Sequence, residues 1–276
     1  MIRAVLLACL LPGVAFADPA ERVITLGGAV TEIAAALGAE GRLIARDSTS
    51  NYPESITDLP DVGYIRALSA EGVLGLGPDL VISDAGAGPA EALDALRAAG
   101  VPFAEMPGEA SAQGVLDKIT AVAQALGMEP EGEALRAQVA AGLQDAQARA
   151  DAVSMQKKVL FVMALQGGRV MAGGEGTSAE GIIELAGGRN AATGFKGWKQ
   201  ITDEAVIAAA PDVILMMDRD GDLAVTGADV LAHPALALTP AAQAGRIVRM
   251  DGMLMLGFGP RTPQAAADLH AAIYGG

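Results

Sequence analysis

The sequence predicts an α/β protein of two similar Rossmann-like lobes joined by a long connecting α-helix, with a ligand cleft between the lobes. Three observations carry that expectation. Short β-branched runs alternate with alanine-rich stretches whose apolar residues recur every three or four positions. "SAEGVLGLGPDLVI", starting at Ser69, is echoed by "TDEAVIAAAPDVIL", starting at Thr202. Between these two halves lies a helical stretch with little interruption.

The chain begins with the pattern of a secretory signal peptide. Arg3 supplies a short positive region, Ala4–Leu11 an apolar run, and Ala15-Phe16-Ala17 a small-x-small cleavage site. Residues 1–17 are therefore expected to be removed after Ala17, placing the protein in the periplasm. The apolar run is too short to span a bilayer. Cys9 is the only cysteine and lies inside that run. A mature chain starting at Asp18 would have no disulfide, thiolate nucleophile or cysteine-bound metal.

Next comes "RVITLGG", read as a strand, and "AVTEIAAALGAEG", a helix stopped by glycine. "RLIARDST" and "PDLVISDA" are further strands, "PAEALDALRAAG" a helix and "VPFAEM" a strand. These make residues 18–110 an N-terminal α/β lobe. Residues 111–156 read as a helical connector, with Leu116, Ile119, Val122 and Leu126, then Leu135, Val139 and Leu143, at helical spacing. Gly127-Met128-Glu129-Pro130 is expected to bend or break it. "KKVLFVMA" opens a second α/β series, residues 157–276.

The internal echo runs at a constant offset of 133, pairing Glu71 with Glu204, Val73 with Val206, Pro78 with Pro211 and Asp79 with Asp212. "GYIRALSAE" and "GWKQITDE" precede it with a one-residue slip, so that Trp198 falls near the repeat position of Tyr64. Repetition on the scale of a lobe implies repeated structure. A cleft between two such lobes is a usual place for a small ligand.

Composition narrows the function. The chain has 276 residues, a net charge of −14 and no basic cluster longer than Lys157-Lys158. Nucleic acid and anionic lipid both demand a basic footprint, so neither is an expected partner. The glycine-rich "AGGEGTSAEG", residues 172–181, lacks the lysine of a phosphate-binding loop and the dinucleotide spacing. With two histidines in the chain, no Ser/His/Asp order is persuasive. An enzyme is not expected.

"VGYIRALSAEGVLGLGPDLVI" together with "DGMLMLGFGPRTPQAA" resembles the haem-specific periplasmic binding proteins of bacterial haem-uptake ABC transporters. They are a branch of the helical-backbone, class III substrate-binding proteins that also carry cobalamin and ferric siderophores. The resemblance covers the chain from "RVITLGGAVTEIAAALG" to the C-terminus. It implies that Tyr64 is the axial ligand of ferric haem, with Arg66 close by. Physical chemistry agrees, because ferric iron is hard and favours an anionic phenolate oxygen. Arg66 shares the side of Tyr64 if the segment is extended. The resemblance also implies that Arg219, in "ILMMDRDGDL", reaches across the cleft toward the tyrosine or a haem propionate. Its acidic neighbours Asp218 and Asp220 offer it a competing surface pairing. Glu71 and Glu204 match the glutamates that meet arginines of the membrane permease in that family.

Trp198, the only tryptophan, either packs on the macrocycle or anchors its lobe. Met163, Met171, Met216, Met217, Met253 and Met255 suit a porphyrin face or a core. No histidine stands near "VMALQGGRV", where Gln166 lies instead, so one haem is expected rather than two. His233 and His270 read as ordinary structural residues. The expected partners are ferric haem, an inner-membrane ABC permease with its ATPase, and an outer-membrane haem receptor system; the protein is expected to be a monomer. A same-fold carrier of cobalamin or a ferric siderophore is the alternative. A bare metal ion is disfavoured by two scattered histidines.

Overall fold

The computed structural model describes residues 20–218 and 224–275. The signal-peptide stretch 1–17 and Arg219 lie outside the described residues.

The first sheet is parallel, in the order β2-β1-β3-β4, with β1 Val23–Leu26, β2 Leu43–Arg46, β3 Leu80–Ser83 and β4 Phe103–Glu105. Its helices are α1 Gly28–Ala36, α2 Ala70–Leu74 and α3 Ala90–Ala98. Every residue of β1 and β3 is buried, as expected for parallel strands covered on both faces.

The connector is broken rather than bent. Gly127, in the left-handed conformation with φ 67°, ends α4 Ala112–Leu126, and Pro130 starts α5 Glu129–Asp151. The two fold back on each other, and Gly132 lets them touch: a Cβ there would lie 2.3 Å from the Ala123 methyl. Helix α4 packs on α1 of the first lobe, so α5, with its 23 residues, makes the crossing to the second.

The second sheet is mixed, in the order β10-β9-β5-β6-β8 with β7 beside β5. Its strands are β5 Lys158–Gln166, β6 Arg169–Gly173, β7 Arg189–Asn190, β8 Trp198–Ile201, β9 Val213–Asp218 and β10 Ile247–Asp251. β5, β9 and β10 are parallel, whereas β6 runs antiparallel to β5 and to β8. Helices α6 Ser178–Leu185, α7 Asp203–Ala209, α8 Gly227–Ala232, α9 Pro234–Ala237, α10 Pro240–Gln243, α11 Gly252–Leu256 and α12 Thr262–Tyr274 complete this lobe.

The repeat read in the sequence is repeated hydrogen bonding. Ser69 caps α2 by accepting from the Gly72 N–H at 3.3 Å, and Thr202 caps α7 by accepting from the Ala205 N–H at 3.3 Å. The Asp79 carboxylate accepts from the Arg22 N–H while its own N–H donates to the Arg22 carbonyl; Asp212 does both with Lys158. Each aspartate thus pins the start of a central strand pair, β1 with β3 and β5 with β9.

Strand alternation divides the core into layers. Ile24, Val81, Leu160 and Ile214 face cores confined to their own lobes. Val23, Ile82, Phe161 and Leu215 face a larger core, which continues through Ile119, Val139 and Leu269 and is shared by both lobes. Burial of that shared apolar surface holds the lobes together.

A polar contact reinforces it. Glu32 of α1, only 7% exposed, receives two hydrogen bonds from the guanidinium of Arg261 before α12: Nε to Oε2 at 3.0 Å, and Nη2 to Oε1. The Tyr52 ring covers that guanidinium, 3.6 Å from its centroid. Nearby, Gly259 comes so close to α1 that a Cβ on it would stand 3.3 Å from Ala29 Cα. Desolvation pushes the Glu32 carboxyl above the ordinary carboxylate range, against the opposing pull of Arg261.

Candidate functional site

The strand ends of both sheets face each other across a cavity of about 440 Å3. From the first lobe, Gly27 and Gly28 follow β1, Thr49 and Asn51 follow β2, and Asp84 and Ala85 follow β3. From the second come Met217 and Asp218 of β9, Asp251 at the end of β10, and Gly252, Met253, Leu256 and Gly257 beyond it. Ligands of open α/β sheets sit outside the carboxyl ends of strands, which is this location. The volume falls within the range of about 300–1,000 Å3 usual for small-molecule sites.

Tyr64 and Trp198 both line this cavity, one from each lobe, and both are unusually exposed for large aromatics, at 44% and 36%. Each follows a glycine with positive φ, Gly63 at 94° and Gly197 at 71°, a conformation glycine adopts without steric cost. The ring of Trp198 meets Phe161 edge-on at 5.6 Å, and a Cβ on Gly173 would come within 2.9 Å of it. Trp198 is therefore anchored in its lobe and lines the cavity as well.

Arg66 lines the cavity too, but not by the expected route. Residues 64–67 form a turn closed by the Ala67 N–H to the Tyr64 carbonyl at 2.7 Å, so the segment is not extended. A β-turn here brings Arg66 to the wall that strand alternation would have provided. Among the described residues neither the Tyr64 hydroxyl nor the Arg66 guanidinium has a hydrogen-bond or ion-pair partner.

The other charges of the wall are committed. The Asp84 carboxylate is 3.0 Å from the ammonium of Lys118, which lies buried on α4. Asp218 pairs with Arg249 of β10 at 2.6 Å, and Asp251 caps α11 by accepting from the Leu254 N–H at 2.7 Å. Arg66 is thus the cation of the described wall left open to an incoming anionic group. Arg219 follows directly after β9 but lies outside the described residues.

The methionines divide. Met163, Met217 and Met253 line the cavity, whereas Met216 and Met255 are buried in cores. Neither histidine lines it. His233 is buried, accepting from the Ala235 and Leu236 N–H groups through Nδ1 and donating from Nε2 to the Gly168 carbonyl. His270 donates from Nδ1 to the Ala186 carbonyl. Gln166, at the end of β5, accepts from Gln200 of β8 at 3.4 Å. Among the described residues no three His, Cys, Asp or Glu side chains converge to hold a metal ion, and no helix is long and apolar enough to cross a membrane.

Glu71 and Glu204 sit exposed in the first turns of α2 and α7, one on each lobe. Hydrogen bonds from its own backbone N–H and from Thr202 hold the Glu204 carboxyl below the ordinary range.

Residues behind the wall escape a reading of the sequence. Asp47, fully buried, accepts from the Gly27 N–H, the Thr49 N–H and hydroxyl, and the Ser50 hydroxyl at 2.6–3.0 Å. It ties the loop after β1 to the loop after β2, both of them cavity walls. The one signal available beforehand is the run of short polar residues "RDSTSN" after a strand, which marks a side-chain-to-backbone turn.

This arrangement has close counterparts. The periplasmic heme-binding protein BhuT, solved in complex with two hemes, is 42% identical with a TM-score of 0.86, over 91% of this chain and 97% of that one. The apo form of the periplasmic heme-binding protein RhuT from Roseiflexus sp. RS-1 is 42% identical with a TM-score of 0.87, over 92% and 98%. YvrC of Bacillus subtilis (strain 168), an uncharacterized ABC transporter substrate-binding lipoprotein, is 26% identical across 257 residues, 92% of this chain and 80% of that protein. Residues 23–254 match the family described as periplasmic binding protein, and the chain belongs to that family.

Proposed function

We propose that this protein binds ferric haem in the cavity between its lobes and delivers it to an inner-membrane ABC permease with its ATPase. The observation that carries the reading is Tyr64: an exposed phenol on a cavity wall, without a partner among the described residues, beside an uncommitted Arg66. A core tyrosine would have been covered and its hydroxyl bonded. The relatives named heme-binding proteins support the same ligand.

In this reading the Tyr64 phenolate is the axial ligand of the iron. Binding ferric iron displaces the phenolic proton, and a guanidinium nearby favours the anion. Arg66, with Arg219 from the opposite lobe, neutralises the haem propionates, which would be costly to bury unpaired. Trp198, Met163, Met217 and Met253 pack against the macrocycle. The protein carries one haem as a monomer, does no chemistry on it, and acts in the periplasm after cleavage behind Ala17. An outer-membrane receptor system supplies the haem. Residues 18–110 and 157–276 are the two lobes and 111–156 their connector. Glu71 and Glu204 present paired carboxylates to basic residues of the permease.

The test is an absorption titration of the mature protein with ferric haem. Saturation near one equivalent, with the bands of a tyrosinate-ligated ferric haem lost in Tyr64→Ala, is the expected result. Tight binding of cobalamin or a ferric siderophore in place of haem would refute the ligand assignment. Saturation at two equivalents would refute the stoichiometry alone.

A further inference from the structure

Tyr64 stands on a loop, and a metal ligand on a loop is useful only if the loop is held still. Residues 60–63 are held as an added strand beside the end of β2. The Arg46 N–H donates to the Pro60 carbonyl at 3.0 Å, the Val62 N–H to the Arg46 carbonyl at 2.9 Å, and the Ser48 N–H to the Gly63 carbonyl at 3.0 Å. Asp61 closes this piece with both carboxylate oxygens. Oδ1 accepts from the Gly63 N–H at 2.7 Å, and Oδ2 from Arg46 Nη1 at 3.1 Å. Arg46 is itself immobilised, its side chain 14% exposed and bonded to the Asp47 and Thr57 carbonyls. Beyond Tyr64 the chain is tied again, by the Leu68 N–H to the Gly88 carbonyl and the Gly88 N–H to the Ile65 carbonyl, each at 2.9 Å.

Resting on the reading of Tyr64 as iron ligand, we propose that Asp61, held by Arg46, is the positioning residue of that ligand. Its Oδ1 contact fixes Gly63 at φ 94°, the left-handed conformation that aims the next side chain. Asp61 does not line the cavity; it acts through Gly63 on Tyr64. The downstream ties are backbone bonds, so among the described residues this upstream bond is the one side-chain restraint next to the phenol. Without it, residues 62–64 sample several conformations, and the oxygen spends only part of its time within reach of the iron.

A double-mutant cycle on the full mature chain separates positioning from mere structure. Haem transfer to an excess of apomyoglobin gives the dissociation rate, and absorption gives the tyrosinate bands. Asp61→Ala should release haem about tenfold faster with weakened tyrosinate bands. Asp61→Asn keeps the Oδ1 acceptor for Gly63 but sets an amide N–H against Arg46, so its release rate should fall between those of wild type and Asp61→Ala. In the Tyr64→Phe background, Asp61→Ala should change the rate by less than about twofold, because no ligand remains to be aimed. Equal losses in both backgrounds would overturn the proposal, as would wild-type bands and rate in Asp61→Ala. If Asp61→Ala fails to fold, Arg46→Gln replaces it with the same expected coupling. A Tyr64→Phe spectrum identical to wild type overturns the ligand reading and this proposal with it. A Tyr64-dependent spectrum indifferent to Asp61 overturns the proposal alone.

Discussion

A phenol, an indole and a guanidinium define the wall chemically, and each was legible as a residue type before its surroundings were known. Their meaning came from exposure. Tyr64 and Trp198 remain open where aromatics of their size usually close. Because Trp198 is the sole tryptophan, its fluorescence reports the cavity wall and the lobe packing behind it. Ferric haem should quench most of that emission and saturate near one equivalent, and an unquenched signal would place the ligand elsewhere. Gly173→Ala should disturb the same reporter. Its new methyl would press within 2.9 Å of the indole and of the Ala179 methyl, at an overpacking cost of about 1–3 kcal/mol in urea denaturation. A red-shifted Trp198 emission in that variant is the expected companion.

Short helices with side-chain caps carry the charges that face outward. Thr202 performs two tasks at once, capping α7 and holding the Glu204 carboxylate ionised. Thr202→Ala should therefore lower stability by about 1 kcal/mol and raise the Glu204 pKa toward its ordinary value. The sign follows from linkage: a depressed carboxyl pKa contributes stability present above the unfolded value and lost as pH falls through the folded one. In the proposed docking role, the Glu204 contribution to permease association should survive to lower pH in wild type than in Thr202→Ala. The Glu71→Ala, Glu204→Ala double variant should lose that association and keep the haem titration unchanged; lost haem binding in it would count against docking.

On the scale of the molecule, the lobes share a core and the Glu32–Arg261 ion pair, so the cavity has a braced back. Arg261→Ala leaves Glu32 buried without its cation, which costs on the order of 3–5 kcal/mol for a fully buried pair and less here, where Arg261 is partly exposed. The deficit should depend on pH. The Glu32 pKa is raised in the fold and rises further without Arg261, so its burial is tolerated below the unfolded carboxyl pKa and penalised as pH climbs through the folded value. Urea midpoints of Arg261→Ala should thus approach wild type at pH 5 more closely than at pH 7, while Glu32→Gln combined with Arg261→Ala should show no such dependence. A deficit independent of pH would exclude Glu32 as its source.

Strands, helices, the duplicated lobe plan and the capped glutamates could all be read from spacing, because alternation, 3.6-residue periodicity and cap residues act over a few neighbours. The proposed role of Tyr64 came from the resemblance of its segment to a known family, since a tyrosine beside an arginine is by itself an ordinary loop pair. Other features required the folded chain. Arg66 reaches the wall through a turn that no local pattern distinguished from an extended segment. Helix α4 packs against the first lobe, its Lys118 meeting Asp84, and Arg261 finds Glu32 across 229 positions. Such pairs carry no periodic signal: their partners are chosen by the packing of whole layers, and only after that packing does a charge show which opposite charge it was placed to meet.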